Sequence, residues 1–294
     1  GKEYEITAEY FSYRRESAAK LYWKSPNNES GIKDLFTDAV AAGKKADVVV
    51  AVLGINKNFD QEGGDREDIK LSIDQEIFIQ EMFKANPKTV VVLEAGNSMS
   101  IDWINKNIPA IVNAWYPGEQ GGNAVADVLF GDYNPAGRLP ITYYNNVGEL
   151  PAMNDYDVSK GRTYQYFRGK PLYAFGHGLS YSKFEYSNLG LQEKDSTILV
   201  SFELKNSGKY DGDEVAQVYI KLPERNILFP VKELKGFNRL SLKIGEKKKV
   251  MIEIDKMKLR YWDETTASFV HPMGEYDVMV GASSEDIRLR KKVN

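Results

Sequence analysis

The chain has no cysteine and only two histidines in 294 residues. The first absence excludes a disulfide framework, a thiol nucleophile and a cysteine-ligated zinc. It leaves the compartment open, because periplasmic and cytosolic proteins both do without cysteine. His177 and His271 fall far apart, one in each of two expected domains, so no metal site is expected from them. No nucleophile-elbow motif supports a Ser-His-Asp relay either. No stretch of about 18 apolar residues occurs, so no membrane span is expected. The net charge of −3 gives no footprint for nucleic acid. The first strand-like run leads into "VLGINKNFDQEGG", which has no Gly-x-Gly-x-x-Gly turn, and a nucleotide-binding protein is set aside. The start, "GKEYEITAEYFSYRRESAAKLYW", has no apolar signal-peptide core and no initiator methionine. It reads as a segment cut from a longer protein, from which a targeting signal could have been lost.

What is present is a chain long enough for about two domains, with 42% hydrophobic residues to build cores. Residues 1–30 alternate apolar and polar positions without enough partners for a sheet, and read as the tail of a truncated β domain plus a linker. Residues 31–183 alternate apolar runs with helical patterns. "ADVVVAVLG" (46–54), "KTVVVLEAG" (88–96) and "PAIVNAWYPG" (109–118) predict buried parallel strands. "SIDQEIFIQEMFKA" (72–85), "SIDWINKN" (100–107) and "GGNAVADVLFG" (121–131) predict the helices between and after them. Ser72, with Gln75 three residues on, has the look of a capping box, and Gly131 of a helix stop. The fold class expected is therefore α/β, a mostly parallel sheet flanked by helices in right-handed βαβ units. Residues 184–294 change to alternating strands separated by turns such as "NSGKYDGD" and "KIGEK". Around seven of them predict an immunoglobulin-like β-sandwich, of fibronectin type III kind because no cysteine is available for an inter-sheet disulfide.

Ligands of open parallel sheets bind outside the carboxyl ends of the strands. The stretch "FDQEGGDREDIKLSIDQ" (59–75) begins just beyond such an end, which makes Glu62 a candidate general acid. A charged turn before a helix explains the same residues without chemistry. Gly63 and Gly64 permit unusual backbone, and Asp65 beside Arg66 suits an ion pair that anchors the loop. Gly121 and Gly122 sit where a helix N-terminus can cradle an anion, but tight strand–helix packing is the favoured reading, as the Lys-Ser/Thr ending of a phosphate loop is missing. Arg138 in "NPAGRLP" is expected to be solvated or ion-paired rather than catalytic. His177 in "FGHGLSY" is expected to be a packed structural residue, with pocket lining as the alternative. The aromatics of "RTYQYF" (162–167) suit an interdomain contact better than a sugar platform, Trp103 and Trp115 suit a core or interface, and "KIGEKKKV" a solvated hairpin.

Taken in order, "ADVVVAVLG", "EGGDR", "LEAGNSMSIDW", "PAIVNAWYPGEQGGNAVADVLFGDYNPAGRLPITYY", "KGRTYQYF" and "FGHGLSYSKFEY" resemble the carboxyl-terminal half of glycoside hydrolase family three enzymes of the β-glucosidase or β-xylosidase kind. The later "VAQVYIKLP", "PVKELKGFNRLSLKIGEKKKV" and "GEYDVMVGASSEDIRL" resemble that family's fibronectin type III-like domain. Together they cover about residues 32–294, and the first residues are similar to the end of a protective-antigen-type β domain inserted in some members. The resemblance implies a retaining exo-glycosidase acting on terminal β-linked glucose or xylose of an oligosaccharide, with two carboxyl groups about 5 Å apart. It implies that the nucleophile is an Asp on a preceding (β/α) barrel, which this chain does not contain. It places the acid/base at a Glu followed by Gly and shortly by Asp-Arg, here Glu62, with Asp60 and Glu67 as fallbacks and Asp65 and Arg66 as loop organisers. His177 stands where Tyr is commoner and is carried as a candidate substrate-binding residue. No cofactor or metal is implied, and a periplasmic or secreted setting is. The competing expectation is a non-catalytic carbohydrate-binding or protein-interaction module, which exposed, coplanar aromatics on the sandwich would favour.

Overall fold

The computed structural model describes residues 7, 35–56, 59–61, 63–64, 66–223 and 228–293. The first unit runs α1 (Thr37–Gly43), β1 (Val49–Gly54), α2 (Ile73–Ala85), β2 (Thr89–Glu94), α3 (Asp102–Asn107), β3 (Ala110–Asn113) and α4 (Gly121–Phe130). The three strands are parallel in the order β1-β2-β3, with Val49 opposite Thr89 and Val90 opposite Ala110. One face of the sheet carries the core: Ala51, Leu53, Val91 and Leu93 pack with Ile79 of α2, Ile104 of α3 and Tyr143. Phe83 of α2 meets Trp103 of α3 edge-on at 5.9 Å. Each such Leu, Ile or Phe contributes about 1.5–3 kcal/mol by leaving water. On the other face, Val50 and Val52 of β1 are 48% and 58% exposed. A continuous apolar run suits burial on both faces, but coverage depends on which elements are brought to it, and in β1 every second residue is open.

Two local expectations are revised. Ser72 occupies the N-cap of α2 but makes no capping bond to its backbone. Instead Gln75 Nε2 donates to the Gly54 carbonyl and to Ser72 Oγ, and Gln75 Oε1 accepts from Gly54 N–H at 2.8 Å. Since Ile55 N–H already donates to Glu94, the polar groups of Gly54 face the sheet's outer edge, where the amide of Gln75 mimics a neighbouring strand. Gly121 packs closely, but against Pro117, whose Cβ a side chain would meet at 2.3 Å; Gly122 faces open space. Gly131 closes α4 in the left-handed region at φ 86°.

Nine strands follow among the described residues. β4 (Phe184–Glu193), β5 (Thr197–Asn206) and β8 (Lys247–Asp255) form one antiparallel sheet in the order β4-β5-β8. The other sheet has the order β12-β11-β6-β7, from β6 (Gly212–Lys221), β7 (Glu233–Leu242), β11 (Tyr276–Gly281) and β12 (Ile287–Val293). β9 (Tyr261–Asp263) and β10 (Ser268–Val270) make a separate hairpin. Strict alternation puts Ile198, Val200, Phe202 and Leu204 of β5 inside, against Val218, Ile220, Val250 and Val278.

The two units are joined by polar and aromatic contacts. Arg138 Nη2 donates to Glu214 Oε2 at 2.7 Å, with side chains 9% and 4% exposed, and Tyr186 Oη donates to the other oxygen at 2.6 Å. Tyr164 stacks on Phe175 at 4.2 Å, meets Tyr219 edge-on at 5.9 Å and accepts from Leu234 N–H, which is the interdomain contact expected for that stretch. Gln217 donates to the carbonyls of Gly176 and Ala282. No helix among the described residues is long and apolar enough to cross a membrane.

Candidate active site

The carboxyl ends of β1, β2 and β3 release three loops on one rim of the sheet, and the first two are fastened together. Gly54 ends β1 so close to β2 that an added Cβ would stand 1.9 Å from the Glu94 carbonyl oxygen, so only glycine fits. The chain then turns sharply: Phe59 and Asp60 both donate their N–H to Asn56 O, at 2.9 and 3.1 Å. A second turn is closed by Gly64 N–H donating to Gln61 O at 3.0 Å, with Gly63 at φ 74°. Further on, Ser100 N–H donates to Ile69 O at 2.8 Å, and Lys70 bridges Ser100 in parallel register.

Arg66 is the lock on this loop. Its side chain is only 14% exposed. Nη2 donates to Asn97 Oδ1 at 3.0 Å and reaches Met99 Sδ at 3.6 Å, Nη1 donates to the Lys70 carbonyl at 3.2 Å, and Nε lies 4.0 Å from Asp60 Oδ2. Asn97 Nδ2 in turn donates to Asp60 Oδ2. The Asn97 carbonyl accepts from the Tyr143 hydroxyl at 3.4 Å. Burial pushes that phenol up to about 12, with the Asn113 amide partly offsetting it, so it stays protonated at neutral pH. Beside this cluster the ring of Tyr116 lies over Gly96, whose Cβ would meet it at 2.5 Å, and the preceding Trp115 adopts a left-handed φ of 57°.

Of the residues singled out from the sequence, Glu62 and Asp65 lie outside the described residues. Asp60 and Arg66 are brought together through Asn97. Glu67 is exposed and makes none of these contacts. His177 sits elsewhere, at the domain junction: its ring stacks on Tyr173 at 5.2 Å, and its carbonyl accepts from Leu139 N–H. Burial and then the Arg138 guanidinium hold its imidazole below the ordinary histidine value, against an opposing pull from Asp286. It reaches the loop only indirectly, since Tyr173 packs on Tyr143 at 5.9 Å. No group of three or more His, Asp or Glu side chains among the described residues is arranged to hold a metal. Sequence reasoning passed over Asn97, although "EAGNS" stands just past a strand end, the same signal that drew notice to residues 59–66.

Residues 5–181 match the model of the glycosyl hydrolase family 3 C-terminal domain, more than half of the chain. The chain belongs to glycosyl hydrolase family 3. Residues 214–284 of this family 3 chain also match a fibronectin type III-like domain. It is 35% identical over 289 residues to the periplasmic beta-glucosidase of Salmonella typhimurium, covering 93% of the chain and 37% of that protein. It is 36% identical over 272 residues to a beta-xylosidase of Formosa agariphila, covering 90% of the chain and 38% of that protein. The crystal structure of beta-glucosidase from Kluyveromyces marxianus in complex with glucose is similar with a TM-score of 0.83 and 34% identity, covering 92% of this chain and 34% of that one. The family 3 chain thus spans little more than a third of the length of these three relatives.

Proposed function

We propose that the chain supplies the general acid/base half of a retaining β-glycosidase that removes terminal β-linked glucose or xylose, with Glu62 as the proton carrier. The observation that carries the proposal is the loop from residue 59 to 70, rooted at the carboxyl end of β1 and locked by Arg66 to the loop after β2. The match to family 3 relatives named as a β-glucosidase and a β-xylosidase supports the substrate class.

In this reading a carboxylate on a partner (β/α) barrel attacks the anomeric carbon while Glu62 gives its proton to the departing glycosidic oxygen. Glu62, now ionised, takes a proton from water as the water's oxygen displaces the enzyme carboxylate from the anomeric carbon. Each proton and electron pair is returned, and the chain's own contribution needs no cofactor. Asp60 is the weaker candidate, because its carboxyl is turned inward onto Asn97 and Arg66. The chain without the barrel is expected to be folded and inactive. A relative named periplasmic supports placing the whole enzyme in the periplasm or outside the cell.

The test is Glu62→Gln in the full-length enzyme. Hydrolysis of alkyl glycosides, which need a proton on the leaving oxygen, is expected to fall about 10²–10⁴-fold. Cleavage of activated aryl glycosides should fall far less in the first step. Equal losses in kcat/KM on both substrate types would make Glu62 a structural residue. The binding-module reading is not favoured: Trp262 and Phe269 on the β9–β10 hairpin are both more than half exposed, but their rings cross at 74° and offer no flat platform.

A further inference from the structure

Asn97 carries no charge and no catalytic chemistry, yet every polar group of its side chain is engaged at the site. Its amide oxygen accepts from Arg66, its amide nitrogen donates to Asp60, and its carbonyl accepts from the buried hydroxyl of Tyr143. Asp60 and Arg66, the residues it grips, stand two before and four after position 62. We propose that Asn97 is a positioning residue for glycoside cleavage, holding the proton-donor loop in register with the end of β2. The inference rests on the reading of Glu62 as acid/base.

Proton transfer demands a heavy-atom reach of about 2.6–3.2 Å. A misplacement of about 1 Å costs on the order of a hundredfold in rate. A polar loop held only by its own turns does not meet that tolerance. Here the loop is tied to a rigid element, because β1 and β2 are in contact at Gly54 and Glu94 and cannot slide past one another. Asn97 sits between a carboxylate and a guanidinium whose nearest atoms are 4.0 Å apart. A neutral amide serves both, as acceptor to one and donor to the other, and so bridges a pair whose direct contact is long. Neither Asp nor Ala does the same. Aspartate gives Arg66 its acceptor but sets a second negative charge against Asp60. Alanine gives neither partner anything.

The test takes Asn97→Ala and Asn97→Asp in the full-length enzyme, with Glu62→Gln alongside, on alkyl and activated aryl glucosides and xylosides. Asn97→Ala is expected to lose about tenfold to a hundredfold in kcat/KM on the alkyl glycoside and to stay within about threefold in kcat/KM on the aryl glycoside, whose kcat and KM should fall together as the slowed second step lets the glycosyl-enzyme accumulate. Asn97→Asp, which keeps the shape of the side chain, should show the same dependence on leaving group and reads the outcome if the alanine variant does not fold. A loss of equal size in kcat/KM on both substrates, or no loss on either, overturns the inference. If Glu62→Gln shows the leaving-group dependence and the Asn97 variants do not, the positioning role is wrong and the acid stands. If Glu62→Gln loses equally in kcat/KM on both substrates, the acid assignment itself falls, and the inference with it.

Discussion

Removing Arg138 tests how the two units are held together. Its guanidinium and the Glu214 carboxylate meet at 2.7 Å, and both side chains are at least nine-tenths buried. Glu214 also accepts from Tyr186, whose phenol is pushed well above its ordinary value by burial and by that same carboxylate. In Arg138→Ala the buried carboxylate keeps one neutral hydrogen bond and loses its directly bonded cation. Breaking a buried pair in this way costs about 3–5 kcal/mol. Glu214→Gln leaves Arg138 an amide oxygen to bond, so about 1–3 kcal/mol is expected. The double variant Arg138→Met with Glu214→Leu removes both charges and should recover the loss of about 3–5 kcal/mol in Arg138→Ala, less about 1–3 kcal/mol for the Tyr186 hydroxyl left without its acceptor. Urea unfolding followed by tryptophan fluorescence and by far-ultraviolet circular dichroism measures all three, and coincidence of the two probes checks that one transition is being read. If Arg138→Ala costs less than about 1 kcal/mol, or if the double variant is the least stable, the junction is not organised around this pair.

Three further perturbations probe the scaffold. Gln75→Leu removes both partners of the Gly54 backbone and should destabilise by about 2–3 kcal/mol in the same assay; a neutral result would mean that water replaces the amide. Gly54→Ala drives a methyl into the Glu94 carbonyl and should cost about 3 kcal/mol or more, measured as loss of soluble folded protein or a lowered midpoint. His177, held below its ordinary value by burial and by Arg138, is neutral in the folded state at a pH where the unfolded chain has begun to bind a proton. Unfolding therefore takes up a proton, and stability drops as pH falls through about 6.5. His177→Gln should flatten that slope between pH 7 and 5 in a series of melts, and an unchanged slope would show that His177 does not contribute to it.

Much of the α/β unit is legible in the sequence because its signals are local. The runs around Val50, Val91 and Ile111 are continuous and apolar, and the helices between them have the right length. The sandwich is legible in the alternation of β5 and β8. What is not legible depends on partners distant in sequence. Gln75 looks like half of a capping box, but its amide is bound by a strand end 21 residues earlier. An ion pair is a natural expectation for Arg138, yet nothing in the sequence points to Glu214, 76 residues on. The site divides the same way. A loop with acids, glycines and an Asp-Arg pair just past a strand end announces itself. Asn97 does not, because a neutral amide has no charge pattern and its importance comes from standing between Asp60 and Arg66.

The most direct test of the central claim is chemical rescue of Glu62→Ala in the full-length enzyme with an activated aryl glycoside. If residue 62 is the acid/base, the variant accumulates the glycosyl-enzyme because nothing deprotonates the incoming water. Azide needs no such base, so it should accelerate turnover and yield a glycosyl azide of retained β configuration. Turnover indifferent to azide, with no glycosyl azide formed, would contradict the account.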